Sequence, residues 1–358
     1  MVPEIYGKSF ERRVGEVAMK KSFRLFLITL IIAVVISTVG VAVVRHHDVS
    51  YGDMYEVLSK GISFGEPVYN YEPPEKTDMS GFAALTSDDT VMYQLNEFNT
   101  IETQLEYCTA EIIGGSEEDV LSVSMSCLDE DIRESTVFNT AVKDGRLYIQ
   151  NRCSGRIPAS MDRIKIVITI PDDYKGGYTI TAEKSDITVA NTESTMDMGL
   201  SLHNCRLSAE NISAENISAE LGSTSAAFKS VSGVDSVSIS AVSSNINIGG
   251  IDTQYTKTVL SSTTFNAENI SGSFGCDSDT SRLSLKYDNV SGNINLKANK
   301  GTINIIVPKN SSAALRRDER LSVFNNHTDI KESEKNNKDL RYIIETNVEF
   351  TIVTLDEK

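Results

Sequence analysis

The phrase Asn-Ile/Val-Ser-Gly/Ala occurs as Asn211-Ile-Ser-Ala214, Asn269-Ile-Ser-Gly272 and Asn289-Val-Ser-Gly292, with looser copies at Ser230-Val-Ser-Gly233 and Gly250-Ile-Asp-Thr253. Its central apolar residues, Ile212, Val231, Ile251, Ile270 and Val290, are spaced 19, 20, 19 and 20 apart. Five positions before each stands Leu207, Ala226, Ile246, Phe265 or Leu285, and three before stands Ala209, Phe228, Ile248, Ala267 or Tyr287. The intervening residues are mostly polar (Ser208, Asn247, Asn266, Lys286), with Ala227 the exception. The frame runs back to Ile187 and Val189 and forward to Ile305 and Val307, where Pro308 ends it. Alternation within a strand is thus superposed on a recurrence of about 20 residues between strands, the signature of stacked windings.

One winding cannot stand alone. Ordering 20 residues costs on the order of 20–40 kcal/mol of backbone entropy, whereas each inward side chain returns only about 1.5–3 kcal/mol. Stacking adds burial between neighbouring rungs and the hydrogen bonds that join them. Gly and Ser after the central residue suit a sharp bend. The preceding Asn residues (211, 269, 289) can either ladder with their equivalents or cap that bend. In Asn211–Glu220 the phrase NISAE occurs twice in tandem, and either copy can supply the rung. A flat antiparallel sandwich, the rival architecture, would show hairpin signals instead of this recurrence.

The fold class expected is therefore all-β: a single-stranded β-solenoid of about 20-residue rungs over 172–310, with flanking strand caps. Residues 97–171 read as a capping module. It contains strands at Thr100–Ile113, Val120–Cys127 and Gly145–Asn151, and the alternating Ile164, Ile166, Ile168 and Ile170 stop at Pro171. Residues 311–340 are charged with balanced signs and read as an exposed excursion. In 341–358, Tyr342, Ile344, Val348, Phe350 and Ile352 suggest a final strand returning to the stack.

Upstream, Leu25–Val44 is an uncharged run of 20 residues, about 30 Å long as a helix and matched to a bilayer core. Ahead of it Lys8, Arg12, Arg13, Lys20, Lys21 and Arg24 outnumber Glu4, Glu11 and Glu16, while the next 20 residues carry only Arg45 and Lys60 as basic groups. This asymmetry predicts a cytoplasmic tail over 1–24, a transmembrane helix over 25–44 and everything later outside the cell. Cleavage near the small residues Gly40 and Ala42 is the competing reading. The leader and the apolar run are both long for a secretory signal, which favours a retained anchor. Residues 45–96, with Tyr71-Glu-Pro-Pro-Glu-Lys76 and no sustained period, read as a stalk.

The chain has 358 residues and a formal net charge of −16. That balance argues against nucleic-acid binding, which relies on Lys and Arg. Beyond the anchor the excess of acid is larger, 47 acidic against 28 basic residues. Such a surface stays soluble, and it suits cations or a basic partner.

No constellation for catalysis, cofactor binding or metal binding emerges. The five cysteines, Cys108, Cys127, Cys153, Cys205 and Cys276, show no zinc spacing. Cys127 and Cys153 end two strands that can be neighbours and so are the one candidate disulfide. Cys205 and Cys276 occupy different phases of the repeat. No nucleophile elbow, HExxH motif or phosphate-binding glycine loop occurs. Asp277 and Asp279 lie together, but the equivalent places on neighbouring rungs are not acidic, and the segment lacks the Gly and distal Glu of a calcium loop. Glu117-Glu118-Asp119 and Asp129-Glu130-Asp131 read as solvated loops. His46 and His47 read as a solvated pair beside the anchor.

Four features together resemble the bacterial putative-adhesin domain family, including its LiaG-like single-pass membrane proteins. They are the basic tail, the single apolar run, the opening Phe98-Asn-Thr-Ile-Glu-Thr-Gln-Leu105, and the punctuated rungs closing on Ile303-Asn-Ile-Ile-Val-Pro308. The likeness covers roughly residues 97 to 355. It implies an extracytoplasmic β-solenoid associated with the cell envelope or its stress responses, with no catalytic residues to carry over. The expected function is a non-enzymatic, membrane-anchored, adhesin-like module whose partner is a wall component or an envelope protein. An accessory or sensor of envelope-stress signalling is the alternative, and a glycan-active β-helix enzyme a more distant one.

Overall fold

The structure is a computed structural model. It describes residues 90–153, 158, 160–309, 311–332 and 342–358, together with the backbone of Ala84–Leu85. The expected cytoplasmic tail, transmembrane helix and nearly all of the expected stalk lie outside the described residues. Among the described residues no helix is long and apolar enough to cross a membrane.

The described chain is almost entirely β. It opens with β1 (Ala84–Leu85), β2 (Thr90–Gln94), β3 (Thr100–Glu106), β4 (Thr109–Ser116) and β5 (Val120–Cys127). A one-turn helix, α1 (Glu130–Ser135), leads to β6 (Thr136–Lys143), β7 (Arg146–Cys153) and β8 (Ile164–Pro171). The regular windings follow: β9 (Gly177–Glu183), β10 (Asp186–Ala190), β11 (Met198–His203), β12 (Arg206–Glu210), β13 (Ile212–Gly222) and β14 (Ser225–Phe228). They continue through β15 (Val231–Val242), β16 (Asn245–Ile248), β17 (Ile251–Ser261), β18 (Thr264–Glu268), β19 (Ser273–Lys286) and β20 (Ile294–Val307). The chain closes with β21 (Ala313–Arg320), β22 (Val323–Asn326) and β23 (Tyr342–Glu357).

Each winding has one longer side and one shorter side, and like sides pair in parallel. The longer sides stack in the order β9, β11, β13, β15, β17, β19. The shorter ones stack as β10, β12, β14, β16, β18 and the second half of β19. Both columns then continue along β20 and β23. This is the solenoid that the two superposed periods predict. Ile187, Leu207, Ala226, Ile246 and Phe265 are in register on successive rungs and buried. Size alternates within the stack: Ala226 sits between Leu207 and Ile246, and Phe228 between Ala209 and Ile248, which fills the interior without overpacking.

The expected register fails at one place. Phe265 pairs with Leu283 and Ala267 with Leu285, so Leu285 lies one column over from Leu207 and Ile246, and Tyr287 falls beyond both columns. The rung from Phe265 to Leu283 is two residues short. The two residues are regained between Lys286 and Ile294, since Phe274 pairs with Ile294 and Leu283 with Ile303, both 20 apart. A slip of two leaves every side chain on its original face, so the apolar pattern is blind to it. The tandem NISAE is also resolved, since both copies are used within the single strand β13. Ile212 pairs with Val231 and Ile217 with Val237, with a bulge between Ala214 and Asn216.

The two ends are built out of chain order. At the N-terminal end β3 lies between β7 and β9, and β4 between β8 and β10. Part of the expected cap is therefore itself a rung, beyond which the chain makes one further rung (β7 and β8). Antiparallel β6, β5 and β2 then close the end. At the C-terminal end β23 inserts between β20 and the outermost rung, β21 and β22. The segment read as an excursion thus supplies that last rung, with Leu315 fully buried. In β23 the alternation reverses at Phe350, which has φ +48°. Val353 and Leu355 point inward, while Phe350 and Ile352 face solvent.

The corner joining the longer to the shorter side repeats one device. A non-glycine residue adopts positive φ (Lys184, Asn204, Ser223, Ser243, Ser262, Thr280). The residue after it is buried and small: Ser185, Cys205, Thr224, Ser244, Thr263, Ser281. The backbone N–H groups of Cys205, Thr224, Ser244 and Thr263 donate to the side-chain oxygen of the equivalent residue one rung on, at 3.1–3.4 Å. Each hydroxyl also lies 2.8–2.9 Å from the carbonyl two residues back, to which it donates. The side chain thus accepts from a buried N–H that the turn leaves without a backbone partner. Replacing Thr224 by Val keeps the volume and deletes the hydroxyl. Its expected cost is about 1–3 kcal/mol, and the same holds for Ser244→Ala, whereas exposed Ser208→Ala is neutral. Urea midpoints of the three variants check this, and equal midpoints would remove the hydroxyl column from the account.

Candidate functional site

All five cysteines are free. No disulfide joins Cys127 to Cys153; both are half-buried. Cys205 lies in the buried hydroxyl column, and Cys108 begins that column, its N–H donating to Ser185 Oγ at 3.2 Å. Cys276 points into the interior of β19. Burial pushes the Cys108 and Cys276 thiols up to about 12 and that of Cys205 to about 11. These are packing residues. Thiols this hard to ionise are poor nucleophiles.

The acidic clusters disperse. Among the described residues no group of three His, Cys, Asp or Glu side chains converges to hold a metal. Glu117, Glu118 and Asp119 are exposed. Asp129 precedes α1 and pairs with Arg163, and Glu130 pairs with Arg133. They therefore start a helix instead of forming a loop. Asp277 and Asp279 share the outer face of β19, where Asp279 accepts from Asn299 Nδ2 at 3.0 Å.

The outer surface is largely self-satisfied from rung to rung. Arg206 pairs with Asp186 at 3.2 Å and Lys286 with Glu268 at 2.9 Å, each pair directly in register. Lys175 pairs with Glu193 and Lys229 with Glu210. The amides ladder in the same way: Asn211 donates to Asn191 at 3.0 Å and Asn266 to Asn247 at 2.8 Å. Asn211 and Asn269 both have positive φ. Asn211 serves the bend and the ladder together, whereas the Asn269 amide donates to the Gly249 carbonyl at 2.9 Å.

One place departs from this. A groove of about 450 Å³ crosses the longer sides of β17, β19, β20 and β23, and its outward residues include Tyr255, Lys257, Asp277, Asn295, Lys297, Glu345 and Asn347. Asp277 and Lys297 are directly in register, as are Asn295 and Glu345. Yet none of these seven side chains forms a hydrogen bond or ion pair among the described residues. Gly275, between Lys257 and Asn295 in the same outward column, provides the notch. A Cβ there would lie 2.5 Å from the Tyr255 hydroxyl. The phenol therefore leans across the neighbouring rung, and Tyr255 remains 42% exposed. The tight bend before β19 is made by Gly272 at φ +77°, where a Cβ would meet Thr253 O at 1.9 Å.

No site is legible in the sequence. The signal available was an outward Tyr followed by charged and amide residues at one phase of successive rungs. The two-residue slip after Phe265 misaligns that phase, so the column could not be assembled from a constant repeat.

A β-solenoid with a polar groove on one stacked face is the class that the geometry defines. The chain belongs to the Toastrack family, DUF4097, which matches residues 115–352. Among solved structures it is similar to a putative adhesin from Bacteroides fragilis NCTC 9343, at 12% identity and a TM-score of 0.38, over 75% of this chain and 96% of that one. It is also similar to a putative adhesin from Parabacteroides distasonis ATCC 8503, at 12% identity and a TM-score of 0.40, over 75% and 97%. A putative cell adhesion protein from Clostridium sporogenes ATCC 15579 aligns at 12% identity and a TM-score of 0.20, over 76% and 99%. No curated protein matches the chain.

The thiols give a test in two parts. Iodoacetamide at pH 8, read by mass spectrometry, should label Cys127 and Cys153 while sparing Cys108, Cys205 and Cys276 until the chain is unfolded. Because the three buried thiols have folded pKa values above the unfolded value of about 8.5, the stability they contribute is complete below that pH. It declines as pH rises toward 11–12. Native labelling of Cys276 would contradict the packing described.

Proposed function

We propose that the chain is a non-enzymatic, single-pass membrane protein that presents an adhesin-like β-solenoid outside the cell and binds a component of the envelope through the β17–β23 groove. The observation that carries this reading is the contrast in the outer surface. At several other places opposite charges on adjacent rungs close on one another, as Arg206 does with Asp186 and Lys286 with Glu268. In the groove, Asp277 and Lys297 are in register and unpaired. Unpaired groups on a rigid, hydrogen-bonded sheet are preorganised, so binding a ligand orders little of the protein.

The anchor rests on Leu25–Val44 and on the basic residues ahead of it. In this reading the cell wall or an envelope protein is the partner, and neither nucleic acid nor a small-molecule cofactor takes part. Membership of a family with adhesin-like relatives agrees with a binding role.

Two measurements test the proposal. Protease added to intact cells should digest a C-terminal epitope and spare an N-terminal one, with the protein remaining in the membrane pellet after carbonate extraction. The full chain in detergent should capture wall material or an envelope protein. A mature form in the medium beginning near Val43 would overturn the anchor, and capture of no envelope component would overturn the binding role.

A further inference from the structure

The groove has a chemistry that narrows its ligand. Its four charged side chains, Lys257, Lys297, Asp277 and Glu345, sum to zero on a chain whose formal net charge is −16. A polyanion would meet two carboxylates, and a polycation two ammonium groups, so neither gains a consistent field. The ammonium groups donate, the carboxylates accept, and Asn295 and Asn347 do both. Such an alternation suits a ligand whose own groups both donate and accept, as hydroxyl and acetamido groups do.

The remaining features point the same way. The exposed Tyr255 ring leans along the sheet over Gly275, giving a flat aromatic surface at one end of the groove. Such a surface suits the apolar C–H face of a pyranose ring. An extended peptide recognised by strand addition would need free backbone groups. Here the strands pair on both sides, β17 with β15 and β19, and β20 with β19 and β23. A folded protein partner usually anchors through several buried aromatic or aliphatic side chains. The outward residues of this groove include one aromatic ring and no fully exposed aliphatic side chain. Rungs are about 4.8 Å apart, close to the advance of one hexose in an extended chain. A polymer laid along the solenoid axis therefore meets a new set of groups at each unit.

We infer that the groove is a subsite for an uncharged glycan chain, laid along the axis at about one sugar per rung, with one ring stacked on Tyr255 and the hydroxyl or acetamido groups held by Asp277, Lys297, Asn295 and Asn347. The inference rests on the proposed binding role and names the ligand class of that same groove.

The test uses the full chain in detergent micelles, titrated calorimetrically with N-acetylglucosamine, cellulose-derived and maltose-derived oligomers of two to six units. Polygalacturonate and a mixed pool of unstructured peptides are run in parallel. At least one neutral series should bind, tightening with length up to about four units, the number of strands the groove crosses. Tyr255→Ala should weaken that binding roughly tenfold, and Asn347→Ala should weaken it less. Asn266→Ala, on the shorter side, should leave it unchanged. Tyr255 is partly exposed, so its loss is compatible with folding, and an unchanged urea midpoint verifies this.

No binding to any neutral series, preference for polygalacturonate or peptide, or equal affinity of Tyr255→Ala would each overturn the assignment. The two proposals fail separately. Envelope material captured equally by wild type and Tyr255→Ala, without competition by neutral oligomers, would retain the binding role and reject the glycan subsite. Oligomer binding sensitive to Tyr255→Ala, with no envelope component captured, would retain the subsite and reject the envelope role.

Discussion

The structure depends on carrying hydrogen bonds around a sharp corner. A β-strand satisfies its backbone through its neighbours, but a winding must turn, and a turn in a buried corner strands an N–H group. Here a positive-φ residue makes the turn, at a cost of roughly 1–2 kcal/mol for a non-glycine residue. Its own N–H reaches the next rung, as from Ser223 to Val242 O at 2.9 Å and from Ser243 to Ser261 O at 2.9 Å. The following N–H is taken by a buried Ser or Thr side chain of the next rung. The cost of each corner is thereby offset by bonds to its neighbour, which ties every rung to the presence of another.

The same mutual dependence explains the two ends. A solenoid that simply stopped would expose an open edge able to pair with another chain. At one end the chain adds a rung beyond β3 and β4 and closes it with antiparallel strands. At the other it lays down β21 and β22 first and then threads β23 behind them. At the N-terminal end the early β3 and β4 are thereby enclosed between later strands, whereas at the C-terminal end a late-arriving strand is enclosed between earlier ones. Since the enclosed strand gains partners on both sides, this arrangement ties the chain's last residues into the core through Val353 and Leu355.

The outer surface follows the opposite logic from the interior. Inside, like residues must stack with complementary volumes. Outside, charges on adjacent rungs lie within reach of one another, and most pair. Such exposed pairs contribute little to stability, so their interest is as a background. Against it the unpaired set around Gly275 stands out as a surface whose hydrogen-bonding capacity is turned outward, on a backbone too well bonded to rearrange.

Much of this was legible in the residues. Leu207, Ala226, Ile246 and Phe265 recur at a spacing that only stacked windings satisfy, and their burial follows directly. Leu285 was misplaced because a two-residue slip preserves the alternation from which it was read. The hydroxyl column was present as Ser185, Cys205, Thr224, Ser244, Thr263 and Ser281, but small polar residues suit bends of any kind and do not announce burial. The apolar period by itself determined that the chain winds and which face of each strand turns inward, because side-chain direction is a local property of a strand. Only the tertiary structure decided which rung neighbours which at the two ends, and which outward charges find partners. Those outcomes depend on contacts between segments far apart in the chain, and no local period encodes them.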